Sequence, residues 1–137
     1  MQLRVVADQP WDVQADVLVV PTVGEPAFNG PLDEIDRRSG GELRELATFR
    51  ELRTKRYSSA LAAAGELPVR RIVIVAVGDG ETVDREVVVR VASSAIRRLA
   101  GRQVSRVAFW LTPLAGVLDG GAEIVAELVA RGVVEGS

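Results

Sequence analysis

The sequence contains no cysteine and no histidine. Without cysteine there is no disulfide, no thiolate metal site and no cysteine nucleophile. The lack of histidine removes more: the usual general base near neutral pH, the commonest metal ligand and the central member of a hydrolytic triad. Lysine occurs once, as Lys55, against sixteen arginines, so a lysine-assisted site has a single candidate. Aromatic residues are scarce, at two Trp, one Tyr and three Phe, and the core must therefore be built from Val, Leu, Ile and Ala. No apolar run approaches the ~20 residues that span a bilayer. Met1-Gln2-Leu3-Arg4 opens directly into a strand-like run without a signal-peptide pattern. The expectation is a cytoplasmic protein with no membrane partner. A net charge of −2 gives no global attraction to nucleic acid or to an anionic surface.

What is present fits one domain. The chain has 137 residues, 47% of them hydrophobic, enough for a single core and ordinary for a globular protein. Val17-Leu18-Val19-Val20, entered by Asp16 and closed by Pro21, reads as a strand buried on both faces. So does Ile72 to Val77, entered by Arg70-Arg71 and closed by Gly78. Val107 to Leu111, ending at Pro113, is a third, and Gln2 to Ala7 a shorter opening strand. The alanines of Tyr57 to Ala64 favour a helix by propensity, but the place of this segment before Gly65 and Pro68 suits an edge strand, which is the expectation adopted.

Helical patterns lie between the strands. Asn29-Gly30-Pro31 followed by Asp33 and Glu34 supplies a capping residue, a first-turn proline and acids at the positive dipole end. That helix should pause at Gly40-Gly41 and resume through Leu43, Leu46 and Ala47. A second, from near Thr82, places Val88, Val91, Ala92, Ala95 and Leu99 on one face. A last helix from near Asp119 should bury Ile124, Val125, Leu128 and Val129. Alternating strands and helices imply a single three-layer α/β/α domain with a mixed, mostly parallel sheet.

The order of these pieces resembles the N-terminal domain of the leucyl (cytosol) aminopeptidase family of metallopeptidases. Four stretches carry the resemblance: Ala15 to Val20; Gly30-Pro31-Leu32-Asp33-Glu34-Ile35-Asp36 followed by Gly40-Gly41-Glu42-Leu43; Arg70 to Gly78; and the closing Ala130 to Gly136. The resemblance implies a macro-like architecture, similar to domains that bind ADP-ribose. It also implies a peptidase centre in a separate C-terminal domain, where two divalent metals (Zn or Mn), carboxylates and a lysine act. That centre's Asn-Thr-Asp-Ala-Glu-Gly-Arg run does not occur here. The expectation is that residues 1–137 form the accessory domain, with the catalytic domain absent and no catalytic or metal residue to carry over. The resemblance implies as partners the protein's own catalytic domain or further copies in a homo-oligomer. Some bacterial members of the family also bind DNA.

Three groups of residues are candidate sites. In an open parallel sheet, ligands sit beyond the carboxyl ends of the strands. That rim would hold Thr22 and Gly24 after the second strand, Asn29 and Gly30 at a helix start, and Gly78, Asp79 and Gly80 after the fourth strand. Backbone N–H groups there can hold a phosphate; the alternative is a plain strand-to-helix turn that needs positive φ. Neither loop has a phosphate-loop or dinucleotide fingerprint, and the Asn-Ala-Ala-Asn run of macro domains is replaced by Pro21-Thr22-Val23-Gly24. Arg90, Arg97, Arg98 and Arg102 could form the basic stripe that a DNA surface needs. Without interleaved aromatics they read better as a solvated helix face with cations at its C-terminal end. Asp33, Glu34 and Asp36 are the tightest acidic cluster, but successive helix positions diverge, so a structural role is expected.

The reading that follows is a non-catalytic accessory domain of an aminopeptidase, a hydrolase of peptide N-termini, with a role in assembly, substrate access or regulation. Its rivals are a stand-alone module for a nucleotide or ADP-ribose-like ligand and, least supported without His or Cys, an independent enzyme.

Overall fold

A computed structural model describes residues 1–137. Five strands form one sheet: β1 (Gln2–Val6), β2 (Val17–Val23), β3 (Ser59–Ala63), β4 (Arg71–Gly78) and β5 (Arg106–Trp110). The spatial order is β1-β5-β2-β4-β3. Neighbours pair in parallel except β3, which runs antiparallel to β4 with Leu61 opposite Val73. The two runs without polar interruption, β2 and β4, lie side by side near the centre, Leu18 opposite Ile72 and Val20 opposite Ile74. That is where a strand covered on both faces must go. The alanine-rich stretch is an edge strand as expected: sheet pairing overrides its helix propensity.

Side-chain alternation divides the core into two layers. Val17, Val19, Val73, Val75, Val77, Val107 and Phe109 face one side, against α3 (Arg85–Arg97), α4 (Thr112–Ala115) and α5 (Gly121–Gly136). Leu18, Val20, Ile72, Ile74, Ala108 and Trp110 face the other, against Ile35 of α1 (Gly30–Arg38) and Leu43 and Leu46 of α2 (Glu42–Thr48). The result is the three-layer arrangement, with each buried Val, Leu or Ile contributing about 1.5–3 kcal/mol before the entropy of ordering is subtracted.

The helix boundaries refine the sequence reading. Thr82 belongs to a short 3-10 turn (Gly80–Thr82), and α3 starts three residues later, where the Asp84 Oδ1 accepts from the Val87 N–H at 2.8 Å. A side-chain cap selects the true start over the first polar residue of the region. The face Val88, Val91, Ala92, Ala95 and Leu99 is buried as expected. In α5 the buried positions are Val125, Val129, Gly132 and Val133, while Ile124 and Leu128 are only half-buried. The contact face is rotated because α5 approaches α3 through its glycines: a Cβ on Gly132 would stand 2.3 Å from the Val89 carbonyl oxygen. Asn29 occupies the N-cap position of α1, but its side chain makes no capping hydrogen bond. Proline and the first-turn acid Asp33 carry that helix start.

Candidate functional site

The predicted rim splits into two places. Around the carboxyl ends of β2 and β4, Thr22 is buried opposite Ala76, and the Gly24 N–H donates to the Gly78 carbonyl at 2.9 Å. Gly78 has φ +81, the conformation that favours glycine there. The Asp79 carboxylate accepts from the Glu81 N–H at 3.0 Å, and its carbonyl from the Thr82 N–H at 3.2 Å. Gly80 lies against Val23 and Val117, where a Cβ would meet both at 3.0 Å. Asn29 and Gly30 stand instead at the start of α1, where the next residue, Pro31, lines a different cleft.

Arg56 closes the first place. Its Nε donates to the Val77 carbonyl at 2.7 Å, and its Nη2 to the Asp79 carbonyl at 3.1 Å and the Thr82 hydroxyl at 2.7 Å. The amides of Gly24, Glu81 and Thr82, which a phosphate cradle would use, are bonded within the loop itself. The sequence reading passed over Arg56 for its neighbour Lys55; its place just before the edge strand is the only signal for its role.

Beside the start of α1 lies a cleft of about 660 Å³ lined by Ala7, Asp8, Gln9, Pro10, Trp11, Pro31, Trp110 and Thr112. Both tryptophans of the chain meet there. The Trp110 indole donates to the Ala7 carbonyl at 3.1 Å, and Thr112 Oγ1 donates to the same oxygen at 2.7 Å. None of the seven rim residues lines this cleft.

The acidic cluster is structural. Asp36 is buried, and its Oδ1 accepts from the Arg44 N–H at 2.9 Å while Arg44 Nε lies 3.2 Å from Oδ2. It therefore supplies from α1 the cap that Gly41, at the start of α2, lacks. Asp33 pairs with Arg37 and Arg44, and Glu34 with Arg37 and Arg38. Asp36 is thus not a first-turn acid of its own helix but a tie between two helices. Among all 137 residues, no three His, Cys, Asp or Glu side chains gather in a way that could hold a metal ion. The residues of this chain do not fit the two-metal centre that the resemblance implies for a separate domain.

Of the arginine stripe, Arg90 pairs with Glu86 at 3.3 Å, and Arg97, Arg98 and Arg102 are exposed. At the amino ends of the strands, Asp16 is the organising residue. Its Oδ2 accepts from the Ser105 and Arg106 N–H groups at 2.7 and 2.9 Å, and its carbonyl from the Arg70 and Arg71 N–H groups. It latches the starts of β2, β4 and β5 together. The backbone donor of Arg106, then that of Ser105, holds the carboxyl below its ordinary range.

A mixed five-stranded sheet between helical layers, with strand ends tied by Asp16 and Arg56, places the chain in the macrodomain-like class of α/β folds. The chain belongs to the cytosol aminopeptidase family, as its N-terminal domain, matched over residues 19–137. It is 33% identical over 99 residues to a probable cytosol aminopeptidase of Microcystis aeruginosa, covering 72% of this chain and 20% of that protein. The chain thus spans about a fifth of the length of that relative. Among solved structures it is similar to a Trypanosoma brucei macrodomain, with TM-score 0.69, 19% identity and coverage of 96% of this chain and 54% of that one. It is also similar to the bottromycin maturation enzyme BotP, with TM-score 0.62, 16% identity and coverage of 89% and 23%. No helix is long and apolar enough to cross a membrane.

Proposed function

We propose that this chain acts as a non-catalytic accessory domain of a cytosol-type aminopeptidase, contributing to assembly, substrate access or regulation. The family match over residues 19–137 carries the reading. The side-chain inventory supports it: an activated water needs a metal or a placed base, and the carboxylates of α1 are engaged by Arg37, Arg38 and Arg44. In this reading hydrolysis of peptide N-termini, with its two divalent metals, belongs to another domain, and the partners are that domain or further copies of the protein. Translation of the reading frame beyond the Ser137 codon tests the parentage. A second, larger domain with an acidic metal-binding run supports the proposal; an immediate stop codon counts against it.

The rival, a stand-alone module for a nucleotide or ADP-ribose-like ligand, has the tryptophan-lined cleft on its side. Both tryptophans report on that cleft. A saturable fluorescence change on titration with ADP-ribose favours the rival, and a flat titration favours the accessory domain.

A further inference from the structure

The end of the sheet opposite the rim carries a pocket. Its volume is about 460 Å³, and Asp16, Val17, Arg70, Arg71, Leu99, Arg102, Gln103 and Val104 line it. It forms because three chain segments converge there: the entry to β2, the entry to β4 and the turn from α3 into β5. Val17 and Leu99 are buried and make an apolar floor. Three guanidinium groups against one carboxylate leave a net formal charge of +2 in a chain whose total is −2.

Of the pocket's three arginines, only Arg70 has a carboxylate nearby, that of Asp16. Arg71 and Arg102 have none. Arg71 Nη1 donates to the Arg70 carbonyl at 2.9 Å and Arg102 Nη1 to the Arg98 carbonyl at 3.3 Å. Each guanidinium has five N–H donors, so most of the donor capacity of both is uncommitted. Asp16 offsets one of the three positive charges: its Oδ2 accepts from two backbone amides, and its Oδ1 is 3.9 Å from Arg70 Nε. A planar guanidinium binds phosphate oxygens in a two-pronged geometry.

We infer that this pocket binds a compact polyanion with adjacent phosphate groups, through Arg71 and Arg102 with Arg70 at its rim. A volume of 460 Å³ holds a small ligand and not a helix of nucleic acid. The ligand is either a free polyphosphate or the diphosphate of a nucleotide, which share this chemistry.

The test is isothermal titration calorimetry of the whole chain with sodium tripolyphosphate and, separately, with ADP. Saturable one-site binding of tripolyphosphate is expected, weakened about tenfold or more in Arg71→Gln/Arg102→Gln. The same binding should persist in Arg90→Gln/Arg97→Gln, away from the pocket. Both arginines of the first pair are exposed and bond only to carbonyls, so the fold should survive; Arg71→Lys/Arg102→Lys, which keeps the charge but not the two-pronged geometry, should bind with an affinity between those of the wild type and Arg71→Gln/Arg102→Gln. ADP binding that is tighter than tripolyphosphate and lost in Arg71→Gln/Arg102→Gln points to a nucleotide, and weaker ADP binding to a free polyphosphate. No saturable heat with millimolar tripolyphosphate, or equal affinity in the wild type and Arg71→Gln/Arg102→Gln, overturns the inference.

Discussion

Replacing Gly132 by Ala tests how α5 is seated. Away from contacts this change would stabilise a helix interior by about 0.8–1.0 kcal/mol, because alanine is the better helix former. Here the new Cβ would lie 2.3 Å from the Val89 carbonyl oxygen, 2.7 Å from the Ala92 Cβ and 3.2 Å from the Ser93 nitrogen. Carbon and carbonyl oxygen normally approach to about 3.3–3.6 Å, so α5 must withdraw by about 1 Å along its main contact with α3. The obstructing oxygen is backbone and cannot rotate away. Overpacking of this kind costs about 1–3 kcal/mol, and the upper end applies to a rigid obstacle. The net destabilisation is about 2 kcal/mol, which in a domain of this size lowers Tm by about 6–10 °C. Gly116→Ala is the control, since its nearest atoms are 3.6 and 3.7 Å away, and it should change stability by less than about 0.5 kcal/mol. Urea melts of both variants by circular dichroism read the difference. A Gly132→Ala chain as stable as the wild type, or more so, would refute the close approach of the two helices.

Other expectations follow from the ties at the two ends of the sheet. Asp16, whose pKa is lowered, contributes stability that is present above its unfolded value of about 3.9 and lost as pH falls through the lower folded value. The stability gap between wild type and Asp16→Asn should therefore close on acidification below about pH 4; a gap independent of pH in urea melts would contradict the charged latch. Arg56→Ala removes three hydrogen bonds to the β4 turn and should cost about 1–2 kcal/mol, with faster amide exchange at Glu81 and Thr82; unchanged exchange would show that the turn holds itself. Elemental analysis after dialysis against a weak chelator should find far less than one zinc or manganese per chain, and a stoichiometric metal would mean that carboxylates converge in a way the side chains here do not.

The layers were legible in the sequence because they follow from local pattern. Val17 to Val20 and Ile72 to Val77 are apolar at every position and became neighbouring central strands. The break at Gly40-Gly41 separates α1 from α2 as expected. Contacts made only in three dimensions were not legible. Nothing local marks Gly132 as the point of closest helix approach, and its consequence, the half-burial of Ile124 and Leu128, contradicts a simple helical-face reading. Asp36 sits among first-turn acids by sequence, yet caps the next helix through the Arg44 N–H, eight residues on. Asp16 stands at the head of an apolar run, a visible signal, but its partners Ser105 and Arg106 lie some ninety residues on. The seven rim residues follow from fold analogy and not from local pattern, and the chain divides them between the β2–β4 ends and the start of α1.

The central claim, that this domain supports peptide hydrolysis without performing it, is tested most directly by assaying the purified chain on leucine amide and leucyl-anilide, with and without added manganese or zinc. The account predicts no turnover beyond a background that is insensitive to mutation of the chain. A contaminating host aminopeptidase would leave such a background, so activity must co-purify with the domain and respond to its substitutions. Turnover that disappears in Asp33→Asn, Asp36→Asn or Asp79→Asn would place an active site in this domain and contradict the account.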